Sequence, residues 1–138
     1  ALAGGHGARA RGACRDCESD FHGSPLAGKG PLVADVAGFY RAFAYAPEDE
    51  TAAAPDHVAP ELGFLGYLAM KQAYAIHRGA ADQAEICAEA ADAFREEHLG
   101  VWLADFCERV QAAAPEGFYG QAAEFTRRSI AAIERGRP

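Results

Sequence analysis

The feature that most constrains this chain is the spacing of its large apolar residues, which recur at three- and four-residue steps and nowhere alternate convincingly with polar ones. Val33, Val36, Tyr40 and Phe43 follow this rhythm after Pro31, a residue suited to a helix's first turn, and predict an amphipathic helix to about Tyr45. The stretch Glu61, Leu62, Phe64, Leu65, Tyr67, Leu68, Ala69 and Ile76 is apolar nearly all round and predicts a central helix. Asp56 or a neighbour is available to cap it, and Gly79 to stop it. A third helix is expected over Asp82 to His98, with Ile86, Ala90, Ala93 and Phe94 inward. A fourth runs from Leu99 to Ala113 on Trp102, Leu103, Phe106 and Val110. A fifth, after Pro115 and Gly117, runs from Phe118 to Arg135 on Phe118, Ala122, Phe125, Ser129 and Ile133. The reading is all-α, a bundle of about five helices joined by short loops. The 33 alanines among 138 residues favour it, because Ala loses no rotamer freedom in a helix.

The first 30 residues differ. They hold 7 of the 15 glycines, and their large apolar residues are Leu2, Phe21 and Leu26, so residues 1–30 read as a glycine-rich arm or loop and residues 31–138 as the helical domain. No apolar run approaches the ~20 residues of a membrane helix, and the start lacks a signal-peptide layout. A cytoplasmic protein with no membrane insertion is expected.

Net charge is −7, divided as +1 over residues 1–29 and −8 over the remainder. An acidic body repels phosphate backbones and argues against nucleic acid as a partner. A basic partner suits it better. The chain has no phosphate loop, dinucleotide fingerprint or serine elbow, so no enzyme activity and no cofactor are expected.

Two polar constellations stand out. Cys14 and Cys17, at the spacing with which two thiolates grip zinc from one turn, lie near His22 and His6. A second pair is missing, and an incidental pair of thiols is the plainer reading. Cys87 and Cys107, in helical patterns, read as buried thiols. The second constellation is Pro55-Asp56-His57 with Glu61 one helical turn on. Here a carboxylate beside an imidazole orients it, or Asp56 simply caps the helix. His98 and Trp102, one turn apart, read as core and cap.

Three segments in this order resemble the TorD/DmsD/NarJ family of chaperones for molybdenum-containing oxidoreductases. They are Ala34-Asp35-Val36-Ala37-Gly38-Phe39-Tyr40-Arg41-Ala42-Phe43, then Pro55-Asp56-His57-Val58 with Glu61-Leu62-Gly63-Phe64-Leu65, and His98-Leu99-Gly100-Val101-Trp102 with Phe118-Tyr119 beyond. Upstream, Cys14-Arg15-Asp16-Cys17-Glu18-Ser19-Asp20-Phe21 is similar to the Cys-Pro-Pro-Tyr-Glu-Ser/Thr segment of one branch, with Cys17 at the tyrosine position. On that footing the Cys-x-x-Cys spacing is accidental.

The resemblance implies an all-helical chaperone without enzymatic activity. Such a protein binds the twin-arginine signal peptide or amino-terminal region of an apo-catalytic subunit and assists cofactor insertion. By position, Pro55, Asp56, His57 and Glu61 line or shape the peptide site. A peptide carrying two guanidinium groups and an apolar run calls for carboxylates beside aromatic side chains, here Phe64 and Tyr67, with Tyr40 on the preceding helix. The family's first helices have no counterpart here. Either the chain is a fragment, or it completes its bundle through another chain: a bundle lacking helices leaves an apolar face open and predicts a homodimer, for which the resemblance implies domain exchange. The readings left beside this one are a small zinc-binding regulatory protein using Cys14, Cys17 and His22, and a helical interaction domain with another client.

Overall fold

A computed structural model describes residues 16–22, 24–47 and 54–136. Its helices are α1 (Ser19–His22), α2 (Gly30–Ala42), α3 (Val58–His77), α4 (Ala81–Phe94), α5 (Gly100–Ala113) and α6 (Phe118–Arg135), with one π-helical turn, Arg95–Leu99, directly before α5. Five of these are long, and the described residues contain two isolated bridges but no strand, so the all-α expectation holds. None of the described helices is long and apolar enough to cross a membrane.

The helix ends follow local chemistry. Pro31 occupies the first turn of α2. That helix closes with Tyr45 N donating to Tyr40 O at 2.9 Å, around Ala44 in the left-handed region at φ 52°. The α3 stop repeats the pattern with glycine: Ala80 N donates to Ala75 O at 2.9 Å around Gly79 at φ 71°. Gly79 therefore ends α3 as expected. The carbonyl of Phe43, left over at the end of α2, accepts from the Tyr67 hydroxyl at 2.8 Å.

Contacts divide the chain into two compact units. One is Cys17–Val101, and the other holds Trp102 and the residues after it. In the first, α3 packs on α4 across the short Arg78–Ala80 connection. Phe64, fully buried, is the centre of its aromatic core: the rings of Phe94, Tyr40, Tyr45, Phe43 and Phe39 lie 4.9, 5.1, 5.4, 6.1 and 6.4 Å away. In the second unit Trp102, Leu103, Cys107 and Ala123 are buried, and Gln111 of α5 donates to Glu124 of α6 at 2.9 Å. Burial pushes the Cys107 thiol up from its ordinary pKa, as befits an inert core thiol. Cys87 is buried too.

Several faces differ from their sequence reading. Ile86 points outward, and Ala84, Cys87 and Phe94 are the buried side of α4. Met70, Tyr74 and Ile76 are exposed on the second half of α3, which is therefore not covered all round. On α6 the large members of the expected inward stripe are outward, Phe118 and Phe125 at 77% and 74% exposure and Ile133 at 47%, with Ala122 and Ser129 intermediate, while small Gly120 and Ala123 are buried. Periodicity marks an apolar face but not what lies opposite it, and close approach selects small residues. A Cβ on Gly120 would meet Ala114 O at 2.0 Å.

Residues 1–15 of the expected arm, Cys14 and His6 among them, lie outside the described residues. Of the remainder, Glu18 and Ser19 are buried, at 2% and 6% exposure.

Candidate functional site

The loop Pro55-Asp56-His57 is held on three sides. From α2, the Tyr40 hydroxyl donates to Pro55 O at 2.6 Å. Burial pushes the Tyr40 pKa far up, and the charge of Glu61 adds to this, so the phenol stays neutral and acts as a donor. From the amino-terminal side, Glu18 N donates to Asp56 O at 2.8 Å and Ser19 N to Asp56 Oδ2 at 3.0 Å, while Cys17 and His57 form an isolated antiparallel bridge. On its own side, the loop runs into α3 through His57, whose Nδ1 accepts from Ala59 N at 3.0 Å. The helix cap is thus His57, the neighbour of Asp56, in keeping with the expectation that Asp56 or a neighbour would provide it. Asp56 instead ties the loop to α1.

Five of the residues singled out in the sequence thus come together with Phe64. Tyr40, Pro55, Asp56 and His57 are linked directly, Glu61 N donates to His57 O at 3.2 Å, and the Phe64 ring lies against Tyr40. Their exposure separates their roles. Asp56 and Glu61 are 1% and 0% exposed, so in this conformation both carboxylates face the interior. Asp56 Oδ1 is buried with no hydrogen-bond partner among the described residues.

Cys17 has Asp16 and Asp20 as its neighbouring candidate metal ligands, and His22 is not one of that group. His22 Nε2 instead donates to Val101 O at 2.9 Å.

The same turn that pins Asp56 carries a residue that sequence reasoning missed. Glu18 reaches His98, with Nδ1 at 2.9 Å from Oε2 and 3.2 Å from Oε1. On the other edge of the ring, His98 Nε2 lies 3.1 Å from Asp35 Oδ2. His98 is buried, with the rings of Phe94 and Phe39 at 5.1 and 5.5 Å. Burial alone would lower its pKa, but the hydrogen bonds and charges of Glu18 and Asp35 outweigh burial and raise it. The core reading of His98 was right. Its carboxylate partners were not legible at 80 and 63 positions' distance. The only signal for Glu18 was the Glu-Ser pair in the upstream resemblance.

His98 belongs to the π-helical turn, and Gly100 makes that turn feasible. The Gly100 N–H bonds to Arg95 O, and a Cβ on Gly100 would stand 2.6 Å from that same oxygen. Such turns are rare and concentrate at functional sites.

The family model for the nitrate reductase delta subunit matches residues 7–108, which include Glu18, Asp35, the Asp56 loop and His98. The chain belongs to that family. Over 88 residues it is 32% identical to the chlorate reductase assembly chaperone protein of Ideonella dechloratans, and 31% identical to the selenate reductase assembly chaperone protein of Thauera selenatis. Each match covers 64% of this chain and 45% of the relative, so the matched region spans about half the length of these proteins. No solved structure matches the chain.

Proposed function

We propose that this chain is an assembly chaperone for a molybdenum-containing oxidoreductase. In this reading it binds the twin-arginine signal peptide or amino-terminal region of the apo-catalytic subunit in the cytoplasm, assists cofactor insertion, and has no catalytic activity of its own. The family match over residues 7–108 carries the reading, and two relatives named as reductase assembly chaperones support it.

Pro55, Asp56, His57, Glu61, Phe64 and Tyr40 form the peptide site in this proposal, with the buried members shaping it. Asp56 ties the loop to the turn before it through Ser19 N, Glu61 is fully buried one helical turn on, and His57, half-buried, stands at the loop's edge. The net charge of −7 supports a basic client segment. Self-association of protomers, by domain exchange, is part of the proposal. It is supported by the exposed rings of Phe118 and Phe125 on α6.

The test is calorimetric titration with a generic twin-arginine signal peptide at moderate salt, beside the same peptide with both arginines changed to lysine. Micromolar binding of the first, weakened in the second, is expected. Equal binding of both, or of neither, overturns the signal-peptide reading. Light scattering at tens of micromolar tests self-association, which a strictly monomeric mass refutes.

A further inference from the structure

Asp35, Glu97 and His98 form a cluster of donor side chains separate from the residues assigned to the peptide site. We propose that these three side chains bind one divalent transition-metal ion of the zinc type, with Glu18 as the group that orients the histidine.

One donor atom from each of the three lies within 4.8 Å of those of the other two. The set is mixed, one imidazole nitrogen with two carboxylate oxygens, which suits zinc and its neighbours rather than magnesium or calcium. His98 Nε2 and Asp35 Oδ2 already stand 3.1 Å apart. Two ligands ~2.1 Å from one ion at a tetrahedral angle stand about 3.4 Å apart, so small side-chain movements admit an ion between them.

The second argument comes from outside the trio. His98 has a carboxylate at each nitrogen, and carboxylates only accept. With Glu18 taking the Nδ1–H, a neutral ring turns its Nε2 lone pair toward the Asp35 oxygen. A cation between them resolves that opposition: a proton in the empty site, a metal ion in the filled one. A buried carboxylate fixing the far nitrogen is also how metal-binding histidines are commonly oriented. Glu18 fills that place at 2% exposure, on a turn anchored by the Asp56 loop.

The third argument is access. Asp35 has a side chain 62% exposed, and Glu97 is exposed, so an ion can enter and keep water at its open positions. Asp16, Cys17 and Asp20 are the competing group among the described residues. They lie within five residues of one another, on a single turn of chain.

The experiment is calorimetric titration of zinc ion into the full chain after chelator treatment and removal of the chelator, with thermal melting in parallel. One ion per chain at micromolar or tighter affinity is expected, with a melting temperature that rises with zinc concentration. Asp35→Asn and Glu97→Gln, both at exposed positions, each weaken binding by about tenfold or more with the helical signal unchanged. Cys17→Ser leaves it intact. Less than a tenth of an equivalent bound overturns the proposal. So does wild-type affinity in both carboxylate variants, or loss of binding in Cys17→Ser. The peptide titration neither requires nor excludes this site, so each proposal fails separately.

Discussion

Glu18 and His98, 80 positions apart in sequence, share a buried hydrogen bond of 2.9 Å. Glu18 also donates its backbone N–H to Asp56 O, so one residue connects the π-helical turn to the Asp56 loop. Neither end stands alone.

Glu18→Gln keeps the size of the side chain and removes its charge. The Glu18 and His98 side chains are 2% and 4% exposed, so solvent does little to replace the lost partner. A loss of about 2 kcal/mol is expected, read as a lower urea midpoint with the slope unchanged. Unchanged stability would show that the bond contributes nothing net.

Stability in chelator-containing buffer should fall as pH rises through neutrality. The His98 pKa is raised in the folded protein, because Glu18 and Asp35 outweigh burial. The stabilisation from the protonated ring is fully present below the unfolded value of about 6.5 and is lost as pH rises through the folded pKa. Urea unfolding from pH 5 to 9 should show this decline in wild type and a flatter profile in Glu18→Gln. A wild-type profile rising across that range would contradict the assignment.

Gly100→Ala should disrupt the π-helical turn. The new Cβ would meet a backbone oxygen, Arg95 O, at 2.6 Å, and backbone yields less readily than a side chain. A cost of about 2 kcal/mol is expected. A changed His98 ring resonance by NMR would accompany it. An unperturbed His98 in a fully stable variant would show that the turn tolerates a side chain.

The two helix stops allow a matched pair of substitutions. Ala44 at φ 52° and Gly79 at φ 71° occupy the same left-handed position in equivalent stops. Ala44→Gly should therefore gain about 1 kcal/mol and Gly79→Ala lose about as much. Thermal melts of both variants check this, and shifts of the same sign would sink it.

What the sequence by itself determined was local. Helix periodicity, Pro31 and Gly79 act over one or two turns, so five helices and their approximate limits were readable without a partner for any of them. Pro55, Asp56, His57 and Glu61 were readable as one cluster for the same reason, being within a few residues of each other. Tertiary structure decided which faces were covered. Ile86, Phe118 and Phe125 satisfy helical periodicity yet are exposed, while Gly120 and Ala123 are buried because only small residues allow close approach. Tertiary structure also decided the role of Asp56, which ties α1 to the loop rather than capping α3, and the pairing of His98 with Glu18 and Asp35. Those choices depend on segments brought together by packing. No spacing within a single helix encodes which distant carboxylate arrives at a buried imidazole.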